Sequence, residues 1–301
     1  MGEIQWPAKT REVFHHYFDS RYWNEFVFRD GDIIIDTYAK SGTTWMQQIV
    51  LQLIFNGEEG QSLSQLSPWF DLRVLSKEQR GAIDRHTHRR CLKTHLPVDA
   101  LVFSRRARYI YIARDGRDAA WSFHNHQFNA NDDFFRMYNE NLPDGYPLLE
   151  RGTADPYAFY KTWFEKNGWP VWPFWEHIRS WWAIRNLPNV MLVHFNDLKS
   201  DLEGSIRRVA AFLGIAVNEE IFPSIVSHCT FEYMKANAED MAPRGGASWK
   251  NGAATFINKG TNGRWRDRLT DEDIAAYEKR AVDELGPDCA RWLAEGGPVP
   301  A

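Results

Sequence analysis

Cysteine is scarce in this sequence, with only Cys91, Cys229 and Cys289 in 301 residues. Odd in number and far apart, they suit neither a disulfide framework nor a paired-cysteine metal site, which points to a reducing compartment and a cytoplasmic protein. Long apolar runs are missing too. No stretch approaches about eighteen apolar residues, the length that suggests a membrane helix, and mean hydropathy is −0.52. The segment Met1–Arg21 mixes charges and aromatics with no apolar centre, so it does not read as a signal peptide. Nor does one charge sign dominate: the net charge is −4 and the pI about 6.2. A general polyanion-binding surface is therefore not expected, nucleic acid is not a partner, and basic residues that matter should gather in a pocket.

What is present is enough for a substantial core: 44% of residues are hydrophobic and 15% aromatic. No internal repeat or low-complexity tract divides the chain, so one domain over 1–301 is expected. Apolar runs at Ile33–Ile35, Tyr109–Ala113 and Val190–Phe195 read as strands. Helical patterns separate them, which suggests an α/β fold with a central, mainly parallel sheet flanked by helices. One helix starts near Thr43, carries Trp45, Ile49, Leu53 and Ile54, and stops at Asn56-Gly57. Another is capped by Asp197, runs through Ile206 and Leu213, and ends at Gly214. Asn129–Tyr157 reads as a long loop or lid, and Ala242–Gly263 as a second irregular, glycine-rich stretch. Six tryptophans between Trp163 and Trp182 either fill the core or line a pocket.

The first strand empties into Thr37-Tyr38-Ala39-Lys40-Ser41-Gly42-Thr43-Thr44-Trp45 and then into a helix. A fixed cation, a glycine, hydroxyls and the free N–H groups of a helix start make a cradle for phosphate-like anions. The early glycine of a Walker A loop is absent, which disfavours ordinary nucleotide triphosphate hydrolysis. The segment Arg108 to Ser122 repeats the design: a strand releases Arg114, a helix follows, and Ser122 lies eight residues on, able to share one anion with Arg114 around a bent entry. Asp118 reads as a helix-start residue and Arg117 as solvated. His86-Thr-His88 and His124-Asn-His126 have no nearby cysteine or carboxylate cluster, so they read as surface or pocket-wall histidines and no metal site is expected.

With Lys93-Thr94-His95-Leu96-Pro97 added, these ordered motifs make the chain resemble the cytosolic-type sulfotransferases, which use 3′-phosphoadenosine 5′-phosphosulfate (PAPS) and release PAP. The resemblance continues through Trp175 to Trp182, Val190 to Gly214, Phe231 to Lys235 and Phe256 to Trp265. It implies a single-domain, P-loop-like sulfotransferase fold. By the same resemblance Lys40, Ser41, Gly42, Thr43 and Thr44 hold the 5′-phosphosulfate, Trp45 and Phe231 pack near adenine, and Arg114 and Ser122 grip the 3′-phosphate. Lys259 and Gly260 close over that phosphate, and Phe195 stands where tyrosine is frequent. His95 is the implied general base, with Lys40 and Lys93 supplying positive charge to the reacting groups and no metal required. His177 is assigned to packing.

Two departures stand out. Asn258 replaces an arginine of the family's phosphate segment, a loss for which Arg244, Arg264 or Arg266 is a candidate substitute, and Arg264 replaces an aspartate. The acceptor pocket is expected to draw on Asn129–Tyr157, Trp163–Trp175 and Trp69–Leu72, whose aromatic content suits a phenol, a steroid-like alcohol or a glycan face. The family's dimer motif is not matched at Arg266–Ala275, leaving monomer and homodimer both open. A P-loop-like nucleotide kinase or hydrolase and a catalytically silent PAP-binding protein are the alternative functions.

Overall fold

Three isoleucines in a row, Ile33, Ile34 and Ile35, are each wholly buried and face two different layers. Ile34 packs with Leu92, Tyr109 and Tyr111, whereas Ile33 and Ile35 pack with Ile110, Ile112 and Val193. A strand covered on both faces needs no polar alternation, the mark of a parallel sheet between helices. In the computed structural model, which describes residues 4–300, this strand is β1 (Ile33–Thr37) of a four-stranded sheet. Its companions are β2 (Cys91–Thr94), β3 (Arg108–Ala113) and β4 (Val190–His194), in the order β2-β1-β3-β4. Every pairing is parallel, with Ile34 opposite both Leu92 and Tyr109 and Ile112 opposite Val193. The α/β expectation holds within the described residues; positions 1–3 and 301 of the expected 1–301 domain lie outside them.

The chain leaves β1 for β2 on one side and returns to β3 on the other, so the strand order reverses beside β1. A crevice opens there at the carboxyl ends of the strands, the usual ligand position in such sheets. Helix α1 (Thr43–Ile54) rises directly from that edge. Gly42 starts it at φ 113°, and a Cβ at this point would lie 3.1 Å from Phe195 and 3.3 Å from Ile112. Only glycine combines that dihedral with that closeness. The helix stops as expected, with Asn56 and Gly57 both at positive φ.

Several expectations need correction. The sequence offered three strands; Cys91–Thr94 is a fourth, too short and too polar at Lys93 and Thr94 to stand out. β4 ends at His194 rather than Phe195. The helix assigned to Asp197 is two helices, Phe195–Ser200 and Leu202–Leu213, because Asp201 breaks the chain and caps the second by accepting from the Gly204 N–H. Its end at Gly214 is as expected, in the left-handed region. Asn129–Tyr157 is not one loop: Asn131 accepts from the Phe134 N–H and starts a helix, Asp132–Asn139, which buries Phe134 and Tyr138 one turn apart. A further helix, Pro156–Glu165, begins before the segment ends. The polar run there is a cap followed by an acidic first turn, which resembles loop composition.

Arg117 is not solvated. It is buried, pairs with Asp115 at 2.7 Å, and stacks on Trp265 and Tyr277 at 3.9 and 4.6 Å. Asp115 takes the cap position of its helix, Gly116–Phe128, and Asp118 in the first turn accepts from the Gly263 N–H. Of the crowded tryptophans, Trp163, Trp175 and Trp181 fill the core, while Trp172 reaches the crevice. No helix among the described residues is long and apolar enough to cross a membrane.

Candidate functional site

The crevice holds a cleft of about 1330 Å³. Each border comes from a strand end. Lys40, Gly42, Thr43, Thr44 and Trp45 follow β1; Lys93 and His95 close β2; Arg114 follows β3 and leads to Ser122; Phe195 follows β4. Phe231, Lys259 and Gly260 complete the wall from the C-terminal third. Ser41 is the one singled-out residue that does not line the cleft: it is fully buried beneath the loop, and its hydroxyl oxygen has no hydrogen-bond partner.

Lys40, Lys93 and Arg114 concentrate charge at low solvation. Burial pulls Lys40 down to about 7, with Lys93 and Arg114 adding repulsion, and pulls Lys93 down to about 8 against the attraction of Asp71. Arg114 is lowered to about 10 by burial. Its guanidinium lies 4.4 Å from the Phe195 ring centre and donates to Asn262 Oδ1 at 2.8 Å and the Thr261 carbonyl at 2.9 Å. It also donates to the Lys40 carbonyl at 3.1 Å, tying the two anion-facing loops together. Buried cations without an adjacent carboxylate acceptor are costly alone and gain from an anion. The helix start at Gly42 and the unpartnered Ser41 hydroxyl fit the same ligand chemistry.

His95 is buried between two tryptophans, edge-on to Trp69 at 4.6 Å and tilted on Trp172 at 5.1 Å. Its Nδ1 is 2.6 Å from the Thr37 carbonyl, an acceptor only, so Nδ1 carries the proton and Nε2 keeps its lone pair. Burial and then Lys93 hold its proton affinity well below the ordinary imidazole value. Behind it, His177 does more than pack: it meets the Tyr111 hydroxyl at 3.1 Å and Asp36 at 3.2 Å.

Aromatic rings gather beside Arg114. Trp45 is edge-on to Phe195 at 5.3 Å and donates from Nε1 to the Cys229 carbonyl. Phe231 lies so close to Gly260, at φ 62°, that a Cβ there would come within 2.7 Å of the ring. Tyr17, Trp69, Phe134, Tyr138, Trp172 and Trp249 add further aromatic surface to the lining. The expected acceptor segments therefore contribute unequally: Asn129–Tyr157 gives Phe134, Met137 and Tyr138, Trp69–Leu72 gives its two end residues, and Trp163–Trp175 gives only Trp172. Asn258 lines the cleft, as do Arg244 and Arg264; Arg266 instead stacks on Trp265. The sequence analysis does not single out Lys199, whose Nζ donates to the Gly260 carbonyl at 2.9 Å; of the surface and pocket-wall readings for His126, the structure gives the pocket wall. A helical spacing of four from Ser122 was the available signal for His126. Among the described residues, no group of three or more His, Cys, Asp or Glu is placed to hold a metal ion.

Four imidazoles are held neutral: His15, His95 and His177 are buried, and His126 is half-buried in the cleft wall. His15 and His177 are pushed down to about 3, and His95 and His126 well below the ordinary value, by burial first in each case. Unfolding restores a value near ~6.5, so below that pH the unfolded chain binds more protons and stability falls as pH falls. Asp71, pushed up to about 7 by burial, and Asp36, also raised, act in the opposite sense by protonating first in the folded chain. Four imidazoles against two carboxyls leave a net loss of roughly 1–3 kcal/mol per pH unit between about pH 6.5 and 4. Thermal unfolding scans should show Tm dropping across that window. A flat or rising Tm would mean that these imidazoles charge inside the fold.

Comparison with known proteins agrees with this geometry. The sulfotransferase domain family matches residues 30–286. A glycolipid sulfotransferase of Mycobacterium bovis is 33% identical, with the alignment covering 96% of each chain. Mouse sulfotransferase 2B1 is 29% identical over 83% of this chain and 70% of its own. Among solved structures, retinol dehydratase in complex with retinol and PAP superposes with a TM-score of 0.68 at 25% identity, covering 89% of this chain and 87% of that one. A mouse sulfotransferase complexed with PAP gives 0.69 at 23% identity over 91% and 92%, a likeness of fold.

Proposed function

Because the chain belongs to the sulfotransferase family, we propose a division of labour among the residues of its cleft. The protein moves a sulfuryl group from PAPS to an acceptor. When bound, PAPS supplies the electrophilic sulfuryl group and a phosphate leaving group. Lys40, Gly42, Thr43 and Thr44, with the first N–H groups of α1, hold the 5′-phosphosulfate, and Ser41, buried within the same loop, supports them from behind. Arg114 and Ser122 hold the 3′-phosphate, closed over by Lys259 and Gly260, and Arg264 stands in for the arginine that Asn258 replaces. Trp45, Phe195 and Phe231 enclose the adenine, whose flat face accepts aromatic packing.

His95 takes the acceptor's proton on Nε2. The observation that carries this role is the bond from Nδ1 to the Thr37 carbonyl, which leaves Nε2 as the lone-pair nitrogen in a wall shared with Lys93 and Lys40. Lys93 and Lys40 place positive charge where negative charge grows during in-line transfer, in a site dry enough to make that charge count. Trp69 and Trp172 keep the imidazole fixed and exclude water from it.

The acceptor is a hydroxyl-bearing small molecule with a large apolar or flat body, of the glycolipid or steroid-like class. The aromatic lining of the cleft and the likeness to a mycobacterial glycolipid sulfotransferase support this reading. Calorimetry with PAP, PAPS and ATP, followed by transfer of labelled sulfate to glycolipids, steroids, phenols and amines, tests it. Binding of PAP but not ATP, and labelling of a hydroxylated amphiphile, is the expected result. Tight ATP binding without transfer would overturn the function, and labelling confined to small hydrophilic amines would overturn the acceptor class.

A further inference from the structure

Helix Gly116–Phe128 presents two polar side chains to the cleft, four residues and so one turn apart: Ser122 and His126. The first belongs to the phosphate grip proposed above. The second belongs to the His-Asn-His pair, outside the family motifs, and its Nδ1 lies 3.4 Å from Lys40 Nζ. Phe256 stands on the other side, its ring centre 4.6 Å from the ammonium and 6.0 Å from the imidazole. Trp249 packs on His126 at 4.9 Å and donates from Nε1 to the His126 carbonyl at 3.1 Å, which fixes the imidazole's position. Lys40 itself has φ 64°, so its loop is held in the left-handed region rather than free to relax.

The charged and titratable groups around Lys40 are Lys93 and His95 from the end of β2, Arg114 from the end of β3, and His126 from the helix. None is a carboxylate. An ammonium so placed has a lowered proton affinity, and an acceptor beside it favours the charged form. A neutral imidazole is such an acceptor, and burial together with the charges of Lys40 and Lys93 keeps His126 neutral.

We propose that His126 is a positioning residue for Lys40: its neutral imidazole accepts a hydrogen bond from the ammonium, keeping it charged and aimed into the cleft before an anion arrives. The inference rests on the place given to Lys40 in the cofactor cradle. It assigns the second histidine of the His-Asn-His pair a part in the reaction that neither its neighbours in sequence nor the family motifs supply. Without the acceptor, Lys40 keeps only the face of Phe256 among like charges, and its proton leaves at lower pH. Since the charged form binds the anionic nucleotide, PAP affinity then begins to fall at lower pH.

PAP titrated by calorimetry over roughly pH 5 to 9, a range that brackets the lowered Lys40 value and a further fall of one unit, reads this directly. Replacing His126 with Phe should lower the midpoint of the alkaline fall in affinity by about one pH unit, close to tenfold weaker PAP binding on that limb. His126→Asn, whose Oδ1 stands near the lost Nδ1 and accepts in its place, should keep the unaltered midpoint. In a Lys40→Met background the His126→Phe shift should vanish, whereas a merely structural effect of the ring would persist. Should the Phe variant fail to fold, His126→Met through the same cycle decides by the same readout. An unchanged midpoint in the apolar variant, an equal shift in His126→Asn, or a shift that survives Lys40→Met overturns the inference while leaving the cofactor assignment standing. Failure of the unaltered chain to bind PAP overturns the proposed function, and this inference with it.

Discussion

Replacing His95 with alanine should lower acceptor turnover by roughly 10²- to 10⁴-fold, the usual worth of a positioned general base, while PAP affinity stays close to that of the unaltered chain. The separation follows from placement. His95 reaches the cleft through Nε2 but is anchored away from it, through Nδ1 to the Thr37 carbonyl, and its ring is walled by Trp69 and Trp172 rather than by the phosphate-facing loops. Its removal takes away a proton acceptor without removing a cation from the cradle. The low proton affinity of the imidazole adds a pH signature. The base stays unprotonated below its ordinary ~6.5, so the acid limb of kcat/KM should lie below that value in the unaltered chain. Single-turnover transfer of labelled sulfate beside PAP calorimetry makes the measurement. Full turnover in the alanine variant would remove His95 from the chemistry.

Lys40→Met should damage both quantities at once. Methionine keeps the apolar stem against Phe256 and deletes the charge, so the losses report electrostatics rather than packing. Roughly 10- to 100-fold in PAP affinity is expected for removing a desolvated charge partner, and roughly 10²- to 10³-fold in turnover for removing a fixed charge from the reacting centre. The loss should also relieve its neighbours. The Lys40 charge lowers the proton affinity of both His95 and His126, so in this variant the acid limb of the residual activity should move to higher pH. Unchanged PAP affinity together with unchanged turnover would place Lys40 outside the cradle.

The parts of this site that could be read from the sequence are those written in local spacing. Tyr38 to Trp45 and Arg114 to Ser122 each join a strand end to a helix start, and that geometry is fixed within a few residues. Lys93 and His95 are legible through the motif, whereas the four-residue strand that carries Lys93 and ends just before His95 is not. Errors arose where one composition serves two structures. Asn131-Asp132-Asp133 has the makeup of a loop and the function of a cap, and Asp197 and Asp201 are both plausible caps of which only contacts distinguish one. Arg117 was misjudged because its partners Trp265, Tyr277 and Glu278 lie far along the chain. The same distance concealed the pairing of Asp36 with His177 and that of His126 with Lys40.

The strand order β2-β1-β3-β4 has a consequence for how the chain acquires its ligand site. Lys40, Lys93, Arg114, Phe195 and Gly260 meet only when all four strand ends are side by side. Every pairing that brings them together joins distant parts of the chain, so the loop-closure entropy of the whole sheet must be overcome first. The unfolded chain does not hold these side chains together, so a ligand that needs them all selects the folded state. Nucleotide binding therefore weighs on the global folding equilibrium: each tenfold excess over the dissociation constant adds about 1.4 kcal/mol to the folded state.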